Sequence, residues 1–152
     1  MTITQELFGA KENEITHSSS LISSLCITGA IVIADALNTQ KQFASAIIQG
    51  VADHVLALKA NQKKVYKYVK GLFEMNAKGI VCGPQKISLE HGRIESRSVK
   101  ILSGSRLSES LTKNWIGLEE GCIIEARTES EVKKTGVKGV ELRLLYFLNK
   151  LR

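Results

Sequence analysis

Gly29 to Gln40 reads GAIVIADALNTQ, a short β-branched apolar run that ends on a carboxylate. Ala30 to Ala34 suits a parallel strand covered on both faces, because such strands are apolar throughout rather than alternating. Asn38 or Thr39 can cap a helix that carries Phe43, Ala44, Ile47 and Ile48 on one side and closes at Gly50. Beyond it, His54 to Leu58 (HVLAL) is a second buried strand. From Asn61 another helix turns Val65, Tyr68, Val69 and Leu72 toward a core. Upstream, Asn13 or Thr16 can cap a helix whose Ile15, Leu21, Ile22 and Leu25 share a face, and Thr2 to Phe8 reads as an extended segment. Alternating strand and helix implies an α/β layer with right-handed crossovers.

After about Gly79 the texture switches. Ile87 to Leu89 and Ile94 to Leu102 flank a tight turn at His91-Gly92, while Cys122 to Val132 and Val140 to Asn149 flank a Lys/Gly-rich turn at Lys133 to Gly139. These are antiparallel hairpins. Between them Leu107 to Gly117 holds a short helix or loop with the only tryptophan, Trp115, and the single proline, Pro84, marks the transition. The sequence therefore divides into an α/β part, residues 1–78, and an antiparallel β-rich part, residues 79–152, packed as one unit.

The chain has 152 residues, 43% hydrophobic and 24% charged, as expected of a folded soluble domain. No apolar run approaches the roughly 20 residues that span a bilayer, and the N-terminus does not read as a signal peptide. The expectation is a cytoplasmic protein without membrane contact. A formal net charge of +6 favours an anionic partner such as nucleic acid. Cys26, Cys82 and Cys122 are too scattered for a disulfide framework or zinc site and read as reduced, mostly buried thiols.

Asp35 stands where open α/β sheets collect functional groups, at the carboxyl end of a strand. A hard oxygen ligand there suits Mg²⁺ and water activation. The same carboxylate would equally serve as a local cap, accepting backbone hydrogen bonds in the turn.

Five segments carry a resemblance: KENEIT (Lys11 to Thr16), GAIVIADALNTQ (Gly29 to Gln40), DHVLALKANQ (Asp53 to Gln62), HGRIESR (His91 to Arg97) and WIGLEE (Trp115 to Glu120). In this order and spacing they resemble successive blocks of the ISAs-type insertion-sequence transposases. That resemblance implies an α/β, ribonuclease H-like core with an inserted antiparallel β region. It also implies a DDE triad of carboxylates holding two Mg²⁺ or Mn²⁺ ions for DNA cleavage and strand transfer in transposition. By resemblance Asp35 is the second acid of the triad, catalytic and metal-binding. The family's first Asp lies upstream of the matched segments and its Glu lies downstream of a strand resembling LRLLYFLNKL, so the expectation is a chain truncated at both ends. Glu6 matches no family acid by position, and Glu95 reads as part of the β insertion.

Lys59, Lys63, Lys64, Lys67 and Lys70 fall in KANQKKVYKYVK without an intervening acid. Positions 63, 67 and 70 share one helix face, a cationic ridge that reads either as a DNA-backbone contact or as a solvated surface. Arg93 and Arg97 point the same way along a strand, with Glu95 between them to hold one guanidinium, and His91 stands at the adjoining turn. The resemblance makes these three DNA-binding candidates. Trp115 could stack on a base, but its apolar neighbours Ile116 and Leu118 fit a core anchor better. A core lacking terminal elements would also expose an edge and an apolar patch, which invites homo-oligomers.

Overall fold

The computed structural model describes residues 14–90, 93–134 and 137–150. The expected extended segment Thr2 to Phe8, Glu6 within it, and Asn13 lie outside those residues. Helix α1 spans Glu14–Ser24, strand β1 Ile31–Ala34, helix α2 Lys41–Gln49 and strand β2 Asp53–Leu58. A single 3₁₀ turn, Ala60–Gln62, leads into helix α3, Lys63–Glu74. Then come β3 (Val81–Cys82), β4 (Lys86–Glu90), β5 (Arg93–Ser103), the one-turn helix α4 (Glu109–Thr112), β6 (Cys122–Lys134) and β7 (Val137–Lys150).

All seven strands join one mixed sheet in the order β1-β2-β7-β6-β5-β3, with β4 also paired to β5. Only β1 and β2 run parallel, Ala34 beside Leu56, as the intervening α2 requires. The remaining pairings are antiparallel. The hairpin expected about His91-Gly92 forms, with Glu90 opposite Arg93, and the second closes with Lys134 opposite Val137. What joins the two parts of the chain is a pairing absent from any local pattern: β2 lies against the far end of β7, His54 opposite Lys150 and Leu58 opposite Tyr146.

One face of this sheet carries the core. Leu56, Leu58, Leu102, Ile123, Tyr146 and Leu148 are at most 2% exposed and pack against Phe43 and Ile47 of α2 and Val69 and Phe73 of α3. Each such side chain contributes about 1.5–3 kcal/mol by leaving water. Tyr146 anchors this layer, meeting Tyr66 edge-on at 5.5 Å and Phe73 in a stack at 5.9 Å. Trp115 is a core residue, 2% exposed, as its apolar neighbours suggest.

Several expectations are corrected. β1 is not covered on both faces: Val32 and Ala34 turn toward the helices, whereas Ile31 is 57% and Ile33 76% exposed at the edge of the sheet. Tyr68 faces outward, and Phe73 takes the core position on α3. Cys26 and Cys82 are exposed rather than buried, and Cys122 is half-buried. Neither Asn38 nor Thr39 is the N-cap of α2; Gln40 is, without a side-chain cap bond. Thr39 is wholly buried, because its hydroxyl lies between the carbonyl oxygens of Asp35 and Ala57 and ties the ends of β1 and β2 together.

The turn after α2 stores strain. A Cβ on Gly50 would meet Ile27 Cγ1 at 2.7 Å, and the next residue, Val51, adopts φ of 56°, a conformation that β-branched side chains avoid. Val51 is 47% exposed, so little burial opposes its replacement. Val51→Asn is expected to raise stability by about 1 kcal/mol, read from urea unfolding, because asparagine tolerates the left-handed region. A decrease would show that the turn is not strained.

Candidate functional site

The carboxyl ends of β1 and β2 are laced together by polar side chains. Asp35 follows β1 directly and is exposed. Its Oδ1 accepts the backbone N–H of Leu37 at 3.1 Å and of Asn38 at 3.3 Å, and the Asn38 side-chain amide at 3.4 Å. Asn38 in turn accepts the Ser18 hydroxyl at 2.6 Å, which fixes α1 to this loop. From the β2 side, the Asn61 amide donates to the Ala36 carbonyl, and the Gln62 amide reaches the Thr39 carbonyl at 3.0 Å and Gln40 Oε1 at 3.1 Å. Asp35 therefore performs the local turn role, while its carboxylate stays open to solvent. A notch of about 340 Å³ bordered by Ser18, Val32, Asp35, Asn38 and Phe43 lies beside it.

The lysines sit at the same end of the sheet but divide among themselves. Lys63 and Lys64 open α3 and line a larger cavity of about 610 Å³, where Lys41, the first residue of α2, joins them. Lys59 and Lys67 are exposed. Lys70 pairs with Glu74 at 3.5 Å, one turn on, so the far end of the ridge is neutralised.

Arg97 is ion-paired to Glu95, as the alternation along the strand predicts. Its partner across β6 is Thr128, which in turn faces Arg143 on β7, three residues past the Tyr146 that pairs with the end of β2. The hairpin arm thus extends roughly 10 Å beyond the carboxyl end of β2, toward the side where Asp35 and the lysines lie. It is also displaced by three strand spacings, about 14 Å, from β2. Asp35 and the α3 lysines form one group, and Arg97 forms another on the arm. The backbone of Arg93 begins β5, and His91 lies outside the described residues.

Comparison with known proteins gives the relatives of this chain. The chain is 31% identical over 138 residues, 88% of its length, to "Putative transposase YncI" of Escherichia coli O157:H7, of which it covers 35%. It is 30% identical over 132 residues to an "Uncharacterized protein in dhlA 3'region" of Xanthobacter autotrophicus, 85% of this chain and 44% of that one. It is 29% identical over 118 residues to "H repeat-associated putative transposase YhhI" of Escherichia coli K12, 74% of this chain and 30% of that one. These similarities support a transposase family. The chain spans less than half the length of these relatives. No family model matches, and no solved structure matches.

Transposase chemistry of the DDE kind needs carboxylates around two metal ions. Among the described residues no group of three or more His, Cys, Asp or Glu side chains is placed to hold a metal ion. Among the described residues Asp35 stands without a second acid, and one of its oxygens is engaged by the turn. The described residues do not fit a two-ion site. Among the described residues, no helix is long and apolar enough to cross a membrane.

Proposed function

We propose that this chain supplies the second-acid strand and a DNA-holding surface of a DDE-type insertion-sequence transposase with a ribonuclease H-like core. The observation that carries the reading is the exposed Asp35 carboxylate at the carboxyl end of the parallel β1–β2 pair, at the same end of the sheet as the lysines that open α3. In such an enzyme Mg²⁺ or Mn²⁺ activates the attacking oxygen and offsets charge at the leaving one. One carboxylate does not perform that chemistry, so the function assigned to this chain is to bind and orient DNA beside Asp35. Lys59, Lys63, Lys64 and Lys67 supply the positive charge, Lys70 less because Glu74 screens it, and Arg97 extends the contact along the arm.

The purified chain is expected to shift duplex DNA in a gel, with affinity falling steeply as salt rises and at least tenfold on combined charge reversal at Lys63 and Lys67. It is expected not to nick DNA with Mg²⁺ or Mn²⁺. Absence of any shift at low salt would defeat the DNA reading, and nicking abolished by Asp35→Ala would overturn the assignment of binding without cleavage.

A second reading, a self-associating remnant without catalysis, is favoured by the uncovered sheet face. Ile31, Ile33, Val81, Ile101 and Leu145 are between 37% and 76% exposed. A second copy of the chain covering that face would appear in light scattering as a dimer, and a monomer at all concentrations would reject it.

A further inference from the structure

Strand β1 ends the sheet on one side, and its outer edge is unpaired among the described residues. Such an edge is ordinarily covered or kept short of apolar side chains, because its backbone N–H and C=O groups invite another strand. Here Ile31 and Ile33 stand 57% and 76% exposed, although parallel strands are normally buried. Beside the edge runs the notch of about 340 Å³, lined in succession by Val32, Ile33 and Ala34 of β1 and bounded by Leu21 and Ile22 of α1. The notch therefore follows the strand and is apolar along it, with Ser18, Asp35 and Asn38 at the carboxyl end.

The placement of α1 is an independent observation. Its first half lies at the carboxyl end of β1, where the Ser18 hydroxyl donates to Asn38 at 2.6 Å. The chain that leaves it reaches the amino end of the sheet, where the Gly29 N–H donates to the Val51 carbonyl at 2.9 Å. Helix α1 thus runs antiparallel to β1, as α2 does between β1 and β2. It covers the same face of the sheet as α2, since Ile22 packs on the core cluster that holds Phe43 and Ile47. A helix so placed has the geometry of a crossover between two parallel strands, of which β1 is the second. With α1 and α2 on one face and both crossovers right-handed, successive strands step in one direction, which puts the strand before α1 on the open edge of β1, away from β2.

The segment that precedes α1 in the sequence is Thr2 to Phe8, TITQELF, which lies outside the described residues. Its residues Thr2, Ile3, Thr4 and Phe8 are of types enriched in strands, and a period of two puts Ile3 and Leu7 on one face and Phe8 on the other. Gly9 to Asn13, five residues, is an ordinary length for a connection from strand to helix. We infer that Thr2 to Phe8 adds to the open edge of β1 as a parallel strand, with Ile3 and Leu7 closing the notch and Phe8 on the side of Ile33. The segment then guards the edge against a second chain and completes the wall of the notch onto which Asp35 opens. None of this depends on DNA binding.

Residue-resolved NMR of the full chain, at a concentration where light scattering shows a monomer, tests the placement. Amides of residues 3–8 are expected to exchange about tenfold or more slowly than in a free peptide of the same sequence. Nuclear Overhauser contacts should run from Leu7 and Phe8 to Ala34 and from Ile3 to Ile31. Leu7→Asp, which alters none of the buried core residues, should abolish these contacts, return residues 3–8 to the peptide rate and speed exchange in β1, with the emission of Trp115 unchanged. Ile3→Asp, at the other end of the segment, should act in the same way. Peptide-like exchange of residues 3–8 in the unmodified chain, or unchanged protection of β1 in both variants, would overturn the inference. Contacts in the reverse order would overturn the parallel placement. Protection that appears only in a dimer would overturn the intramolecular placement in favour of a segment exchanged between copies.

Discussion

Gly104→Ala is expected to destabilise the protein by about 3 kcal/mol or more, well above the typical cost of a point substitution. The reason is the neck of the connection between β5 and β6. Gly104 N–H donates to the Gly121 carbonyl at 2.8 Å, and this bond closes the excursion from Gly104 to Gly121 that carries α4 and Trp115. A Cβ on Gly104 would stand 1.7 Å from the Leu118 carbonyl oxygen and 2.8 Å from that of Glu119. Both obstacles are backbone, so no rotamer change relieves them. Gly121 is equally confined, its Cβ position lying 2.0 Å from the Asn149 carbonyl oxygen. Separation of the neck would withdraw Leu118 and Trp115, 1% and 2% exposed, from the core against which they pack. Urea unfolding of Gly104→Ala should show a lower midpoint with the same slope, together with a red-shifted Trp115 emission. A midpoint within about 0.5 kcal/mol of the parent would mean that the neck is soft.

This neck also shows where the sequence stops being legible. Strands β1, β2, β4, β5, β6 and β7 and helices α2 and α3 follow from local period and turn chemistry, because alternation and cap residues act over a few positions. The pairing of β2 with β7 joins residues nearly a hundred positions apart, and no pattern within either strand specifies it. The same holds for the outward turn of Ile31 and Ile33. Their β-branched run is compatible with cover on both faces, and only the edge position of β1 leaves one face bare. At the candidate site, Asp35 and the α3 lysines are visible because they lie in one contiguous stretch each. Lys41 is not, since it reaches the cavity from another element, α2. Thr39 and Asn61 are legible in the sequence only as helix-start residues, and Gln62 carries no signal of its own. Their side chains are used instead to bond the carbonyls of Asp35, Ala36, Thr39 and Ala57 around the loop that follows β1.

Acidification is expected to weaken the fold through the buried imidazole of His54. His54 is 2% exposed on the core face of β2, opposite Lys150 of β7, and its Nδ1 has no partner among the described residues. Burial lowers its pKa to about 4; Asp53 opposes the shift, and the neighbouring Lys150 ammonium adds to it. Lys150 is itself held in place, with Nζ 3.2 Å from the exposed Glu120 carboxylate. In the unfolded chain the imidazole has its ordinary pKa of about 6.5. Between these two values the unfolded state binds the proton and the folded state does not, so stability is complete above about pH 6.5 and declines as the pH falls toward 4. The loss attributable to this group amounts to about 2 kcal/mol between about pH 7.5 and pH 5. Carboxylates titrate in the lower part of that range as well, so the measurement is a comparison. Unfolding free energies of the parent and of His54→Leu, taken at both pH values, should converge or cross on acidification by about that amount, because leucine has no proton to gain. Parallel pH profiles for the two proteins would show that His54 takes up its proton as readily in the folded state as in the unfolded one, which would require an acceptor for its Nδ1 and a core more open around Lys150 than the packing of β2 against β7 allows.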